Sequence, residues 1–189
     1  SAGFHGEAFW AGDIGGFTGD APSPELYIRW SQWGLLSSLS RFHGANCPRE
    51  PWYFGDRAVE VVRDYARLRY KLIPYLKKCA QEAYRSGTPL MRHLHLEYPE
   101  DPVTEHVDDQ YLLGPDLLVA PVFEEGTTER RVYLPAGRWQ LVDAGLKPLE
   151  SVIGGERFHR VSAPLERLPL FVRAGVELPL DESEKSFIE

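Results

Sequence analysis

The apolar and polar positions alternate in two textures that change partway along the chain. In the first, apolar residues 8–11 form a short segment that opens into Asp13-Ile14-Gly15-Gly16-Phe17 and a Gly/Asp/Pro loop, the pattern of a buried strand ending in a loop. Ser23 followed by Pro24 predicts a helix start. Leu26, Ile28, Trp30 and Trp33 carry that helix to about Gly34. Residues 35–42 read as a second strand, whose polar exit begins a long loop through Pro51 and Trp52.

From residue 56 to 85 the apolar positions recur every three or four residues, including Val59, Val62, Tyr65, Leu72, Leu76, Cys79 and Ala83, which predicts one long helix. Pro74 is expected to kink it, and Gly87 with Pro89 to end it. Beyond Pro89 the texture becomes short β-type runs broken by Gly and Pro: residues 90–96, 117–122, 130–133, 139–142 and 170–172. A helical turn is expected over 107–112. A β-sandwich fits this spacing, so the chain divides into residues 1–87, residues 88–181 and a charged tail, 182–189.

Charge narrows the partners. A formal net charge of -7, with 21 Lys and Arg scattered among 28 acids, gives no basic face for nucleic acid. The apolar runs fall far short of the roughly 20 residues that span a bilayer, so no membrane partner is expected. Cys47 and Cys79 have no metal-ligand spacing and imply no disulfide framework, which is compatible with a reducing compartment; cytoplasmic localisation is the expectation.

Asp13 and His43 stand where predicted strands end, and in parallel α/β barrels ligands sit at the carboxyl ends of strands. Three roles are open to Asp13: catalytic carboxylate, acceptor for a sugar hydroxyl, or acceptor for the Gly15-Gly16 turn. His43 either donates to a sugar hydroxyl or is satisfied by loop carbonyls. Glycoside hydrolysis needs two carboxylates about 5–9.5 Å apart, and no second one suggests itself. Glu50 reads as a loop acid paired with Arg49. His93 and His95, at i and i+2 on an expected strand, share a face with Glu97; a polar strand face is the plainer reading than a metal site. Asp108-Asp109 reads as a solvated or capping pair, and Trp52 as a loop residue that could serve as a sugar platform.

The segment Phe9-Trp10-Ala11-Gly12-Asp13-Ile14-Gly15-Gly16-Phe17 resembles the strand-seven motif of glycoside hydrolase family 31. Arg41-Phe42-His43, Arg49-Glu50-Pro51-Trp52, Leu117-Leu118-Val119-Ala120-Pro121-Val122 and Pro169-Leu170-Phe171-Val172-Arg173-Ala174-Gly175 resemble later text of that family, in order. The resemblance implies the C-terminal end of a (β/α)8 TIM barrel followed by a β-sandwich domain. It also implies part of a retaining, exo-acting α-glycosidase, an α-xylosidase or α-glucosidase acting on α-linked oligosaccharides. Gly12 stands where many members carry His, and residues 34–44 look closer to the α-xylosidase subgroup.

The family's two catalytic Asp motifs have no match here. The resemblance therefore implies no catalytic residue in this stretch, but a wall of the sugar pocket: Phe17 as apolar wall, His43 as hydroxyl donor, Arg41 and Asp13 as residues that orient it. The expected partners are the sugar and the earlier part of the barrel, with homo-oligomerisation open. No metal or organic cofactor is expected, and this piece alone is expected to be inactive. The alternative is a non-catalytic carbohydrate-binding or assembly module.

Overall fold

The structure, a computed structural model, describes residues 2–181 and Ser183; the expected tail at 182–189 otherwise lies outside the described residues. The first unit is β1 (Asp13–Ile14), α1 (Pro24–Leu35) and β2 (Arg41–Phe42), with the two strands paired in parallel. Ser23 caps α1 by accepting from the Leu26 amide at 3.2 Å, and Pro24 occupies the first turn, where a missing N–H costs nothing. Gly34 has a packing reason within α1: a Cβ there would collide with the Ile14 side chain, so the helix lies directly on β1.

The ladder is shorter than the apolar runs suggest. Residues 8–11 are not a strand. Trp10 is held instead by Ser38, whose hydroxyl accepts from the Trp10 amide at 2.9 Å and donates to its carbonyl at 2.8 Å. A serine side chain thus flanks a single backbone rung, from the Leu39 amide to the Trp10 carbonyl at 3.2 Å, and no closed barrel is present among the described residues.

The expected 56–85 helix is two helices, α2 (Asp56–Lys71) and α3 (Ile73–Ser86). Leu72 forms the break, with Pro74 in the first turn of α3. At that position proline starts a helix cleanly, whereas inside a continuous one it would remove a hydrogen bond. Gly87, at φ 77°, closes α3 in the left-handed conformation that glycine adopts without strain.

The rest is antiparallel. Six strands, β3 (Met91–Arg92), β4 (Tyr111–Leu113), β5 (Leu117–Val119), β7 (Arg138–Val142), β8 (Ile153–Gly154) and β10 (Leu170–Arg173), form one sheet in the order β3-β4-β5-β10-β7-β8. A separate ribbon pairs β6 (Glu129–Leu134) with β9 (Arg157–Ser162). The expected run at 90–96 keeps only β3 as strand, and Leu94–Glu97 turns into a short helix, α4, capped by His93. The helical turn expected at 107–112 is replaced by a 3₁₀ turn at Thr104–His106 and by β4. Two strands, β8 and β9, have no counterpart in the apolar pattern, since β9 carries Arg157, His159 and Arg160 among its six residues.

Alternation explains how the large sheet is used on both faces. Leu112, Leu118, Phe171 and Leu141 lie in register across four strands and pack with Val132, Leu134 and Val161 of the ribbon. The neighbouring row of Val119, Leu170 and Val142 points the other way, into one core shared with Ile14, Tyr27, Leu68 and Tyr75 of the helical unit. The β-sandwich is therefore lopsided, six strands against two, and α1, α2 and α3 cover its other face. Side chains reinforce that junction. The Tyr65 hydroxyl accepts from the Leu168 amide at 2.7 Å, and the Gln32 amide donates to the Leu165 carbonyl at 2.8 Å.

Candidate functional site

Because β1 and β2 are parallel, their carboxyl ends and the loops that follow emerge side by side. Asp13 faces Arg41 in the register, and Arg41 Nε donates to Asp13 Oδ1 at 2.7 Å. Asp13 is thus engaged by a guanidinium, and the charge-assisted hydrogen bond fixes the direction of both side chains. Four residues beyond Asp13 comes Phe17, and two beyond Arg41 comes His43. Their rings lie 5.2 Å apart, centroid to centroid, at an interplanar angle of 32°. Both side chains are exposed, with Phe17 at 48 %. The loops are tied by the Ala45 amide, which donates to the Phe17 carbonyl at 2.7 Å. All four residues expected from the sequence, Asp13, Phe17, Arg41 and His43, therefore meet at one end of the parallel pair.

Arg49 is the residue that the sequence reading misplaced. Its guanidinium does not pair with Glu50, whose carboxylate accepts from the Arg49 backbone amide at 3.0 Å. Instead Nε and Nη2 both donate to the Gly16 carbonyl, at 2.9 and 2.7 Å, and the residue is only 5 % exposed. Glycines on both sides were the available signal: Gly15-Gly16 before Phe17 and Gly44 after His43 leave room for something to approach.

The remaining candidates separate from this end. His93 is the N-cap of α4, its Nδ1 accepting from the His95 amide at 3.2 Å, while His95 Nδ1 meets Thr104 Oγ1 at 3.1 Å. They do not share a strand face, because the chain turns helical at Leu94. Burial lowers the His93 pKa below its ordinary value. Asp109 pairs with Arg130 at 2.7 Å. Among the described residues, no group of three or more His, Cys, Asp or Glu side chains could hold a metal ion, and no helix is long and apolar enough to cross a membrane. Trp52 lies in a 3₁₀ turn, Pro51–Phe54, exposed beside Tyr53, while Phe54 of the same turn stacks on Tyr27 at 3.8 Å.

A parallel βαβ unit with its polar and aromatic groups gathered at the strand ends, fused through its helices to an antiparallel β-domain, is the architecture of part of an α/β barrel joined to a following β-domain. Residues 1–79 match the TIM-barrel domain of glycosyl hydrolases family 31, and residues 87–176 match the C-terminal domain of the same family. The chain belongs to glycoside hydrolase family 31.

Three relatives illustrate the range. An alpha-xylosidase of Emericella nidulans is 43 % identical over 190 residues, covering 96 % of this chain and 23 % of the relative. Alpha-glucosidase 2 of Bacillus thermoamyloliquefaciens is 37 % identical over 97 % of this chain and 23 % of its own. The solved structure of a Flavobacterium johnsoniae family 31 dextranase complexed with glucose superposes with a TM-score of 0.86 at 40 % identity, over 97 % of this chain and 24 % of that one. The chain spans about a quarter of the length of these relatives.

Proposed function

We propose that this chain forms the closing part of a retaining, exo-acting α-glycosidase, of α-xylosidase or α-glucosidase type, and supplies one wall of its sugar pocket. The observation that carries the reading is the convergence of Asp13, Phe17, Arg41 and His43 at the carboxyl end of one parallel strand pair. In this reading Phe17 presents an apolar face to the sugar ring and His43 donates a hydrogen bond to a ring hydroxyl. Asp13 and Arg41 hold each other at the base of that wall, so that hydrogen bonds to the sugar are aimed before it arrives.

The bond-breaking carboxylates belong to earlier barrel strands. One attacks the anomeric carbon, the other protonates the leaving oxygen, and water then releases the sugar from the covalent intermediate with net retention. That chemistry runs on carboxylates and requires no metal. The names of relatives, an alpha-xylosidase, an alpha-glucosidase and a dextranase, support an α-linked sugar and leave the choice between xylose and glucose to the pocket's other wall.

Proton NMR of the first-formed sugar during hydrolysis of aryl α-xylosides and α-glucosides by the full-length protein tests the reading. The α-anomer is expected first. An initial β-anomer overturns retention, and failure to hydrolyse either glycoside, with sugar binding kept, would favour a carbohydrate-binding module.

A further inference from the structure

Arg49 has the attributes of a working residue without touching the pocket. Its side chain runs between the two loops that carry Phe17 and His43. Nε and Nη2 fork onto the Gly16 carbonyl, immediately before Phe17, and Nη1 donates to the carbonyls of Pro48 at 3.1 Å and Cys47 at 3.2 Å, beside the Cys47 sulfur. Its own carbonyl accepts from the Tyr27 hydroxyl at 2.7 Å, anchoring it to α1.

Two glycines make space for it, and a third receives it. A Cβ at Gly15 would lie 2.6 Å from Arg49 Cδ, and Gly15 also needs a φ of 86°. A Cβ at Gly44, next to His43, would lie 2.8 Å from Nε and 2.9 Å from Cζ. Gly16, at φ 82°, is the backbone that receives the fork. A planar, always charged group filled in on both sides by glycine, with its donors spent on backbone carbonyls, fixes loop geometry.

We infer that Arg49 is the positioning residue of the sugar wall: through Gly16 and Gly44 it sets the spacing of the Phe17 and His43 rings. The inference rests on the proposed role of His43 and Phe17. Lysine in its place keeps the charge but loses the fork, so the two loops are held by a single mobile donor. A displacement of the order of 1 Å in such a wall can cost about a hundredfold in rate.

The test is a double-mutant cycle in the full-length protein, with kcat and KM measured on aryl α-glycosides for Arg49→Lys, His43→Ala and the pair, and folding followed by thermal unfolding. Arg49→Lys is expected to lower kcat/KM by about ten- to a hundredfold, mostly in kcat. In the His43→Ala background the same substitution should cost clearly less than in the wild-type background, because one of the two rings whose spacing it sets is gone. Gly44→Ala, which leaves Arg49 intact and crowds it from the His43 side, should reproduce the loss and serves if Arg49→Lys does not fold.

Full additivity of Arg49→Lys with His43→Ala, or wild-type kinetics for both Arg49→Lys and Gly44→Ala, overturns the inference. Wild-type kinetics for His43→Ala would instead overturn the sugar-wall reading on which it rests.

Discussion

Asp13 and Arg41 are direct cross-strand partners, and the register that pairs their backbones is what brings the carboxylate to 2.7 Å from Nε. The pair is partly open to solvent, with Arg41 at 62 % and Asp13 at 21 % side-chain exposure. An ion pair so placed contributes about 0–1 kcal/mol to stability. In the proposed function its value lies in direction: each group is fixed by the other at the strand end from which the Phe17 and His43 loops depart.

The consequence is a separation of activity from stability. Asp13→Asn in the full-length protein keeps the shape but removes the charge that holds Arg41. It is expected to lower kcat/KM on an aryl α-glycoside by about ten- to a hundredfold, with thermal unfolding changed by about 1 kcal/mol or less. Paired kinetic and calorimetric measurements check it; a large loss of stability together with unchanged kinetics would reverse the assignment.

Arg29 behaves in the opposite sense. It is 8 % exposed, and its guanidinium donates to the carbonyls of Ala163 at 2.8 Å, Arg167 at 3.0 Å, Thr127 at 3.1 Å and Pro164 at 3.2 Å. Burial lowers its pKa below the ordinary value, as expected for a cation solvated by carbonyl dipoles rather than by water. Arg29→Met would leave these acceptors without their donor, and a destabilisation of about 3 kcal/mol is expected by urea unfolding, roughly 1–3 kcal/mol for each acceptor that water cannot reach. A loss below about 1 kcal/mol would mean that solvent replaces the guanidinium.

Much of this was readable from the sequence where local and long-range forces agree. Ser23-Pro24 is both a good cap and the true start of α1, and the apolar positions of α2 and α3 face the core that their spacing implies. The resemblance to a family motif puts Asp13, Phe17, Arg41 and His43 forward as one wall, and the parallel strands bring the two segments that carry them side by side. The failures have the opposite cause. Strand β9 is half-exposed and highly charged, so its pairing with β6 is decided by Val161, Phe158 and the partner strand and not by its own pattern. Met91-Arg92-His93-Leu94 reads as continuing strand, yet His93 caps a helical turn there. Arg49 was misread because adjacency to Glu50 suggests an ion pair, while its true acceptor, the Gly16 carbonyl, lies thirty-three residues away.

Alkaline pH should expose the shared core. Burial pushes the Tyr27 hydroxyl up to about 12, and raises Tyr65, Tyr75 and Tyr111 further. In the unfolded chain these phenols ionise near pH 10, so above that pH the unfolded state holds fewer protons than the folded one. Their contribution is complete below about pH 10 and is lost as pH rises toward and beyond 12. A titration of tyrosinate absorbance against near-ultraviolet circular dichroism is expected to show these tyrosines ionising together with cooperative unfolding. Reversible ionisation of all the tyrosines near pH 10, with tertiary structure intact, would contradict their burial.

The sharpest separation of roles comes from His43 and from the chain alone. Asp13 is engaged by Arg41, and glycoside hydrolysis needs a pair of carboxylates about 5–9.5 Å apart, which the proposed function places on earlier barrel strands. The 189-residue chain purified by itself is therefore expected not to hydrolyse aryl α-xylosides or α-glucosides. Turnover above a heat-killed control would refute that. In the full-length protein His43→Ala is expected, on the proposed function, to lose a hydrogen bond that strengthens as charge builds at the sugar, at a cost of about 2–4 kcal/mol in kcat/KM. Because His43 is exposed here, with its ring against that of Phe17, thermal unfolding should hardly change. A His43→Ala protein with near wild-type kinetics would remove the imidazole from the pocket and leave Phe17 and the Asp13–Arg41 pair as the wall.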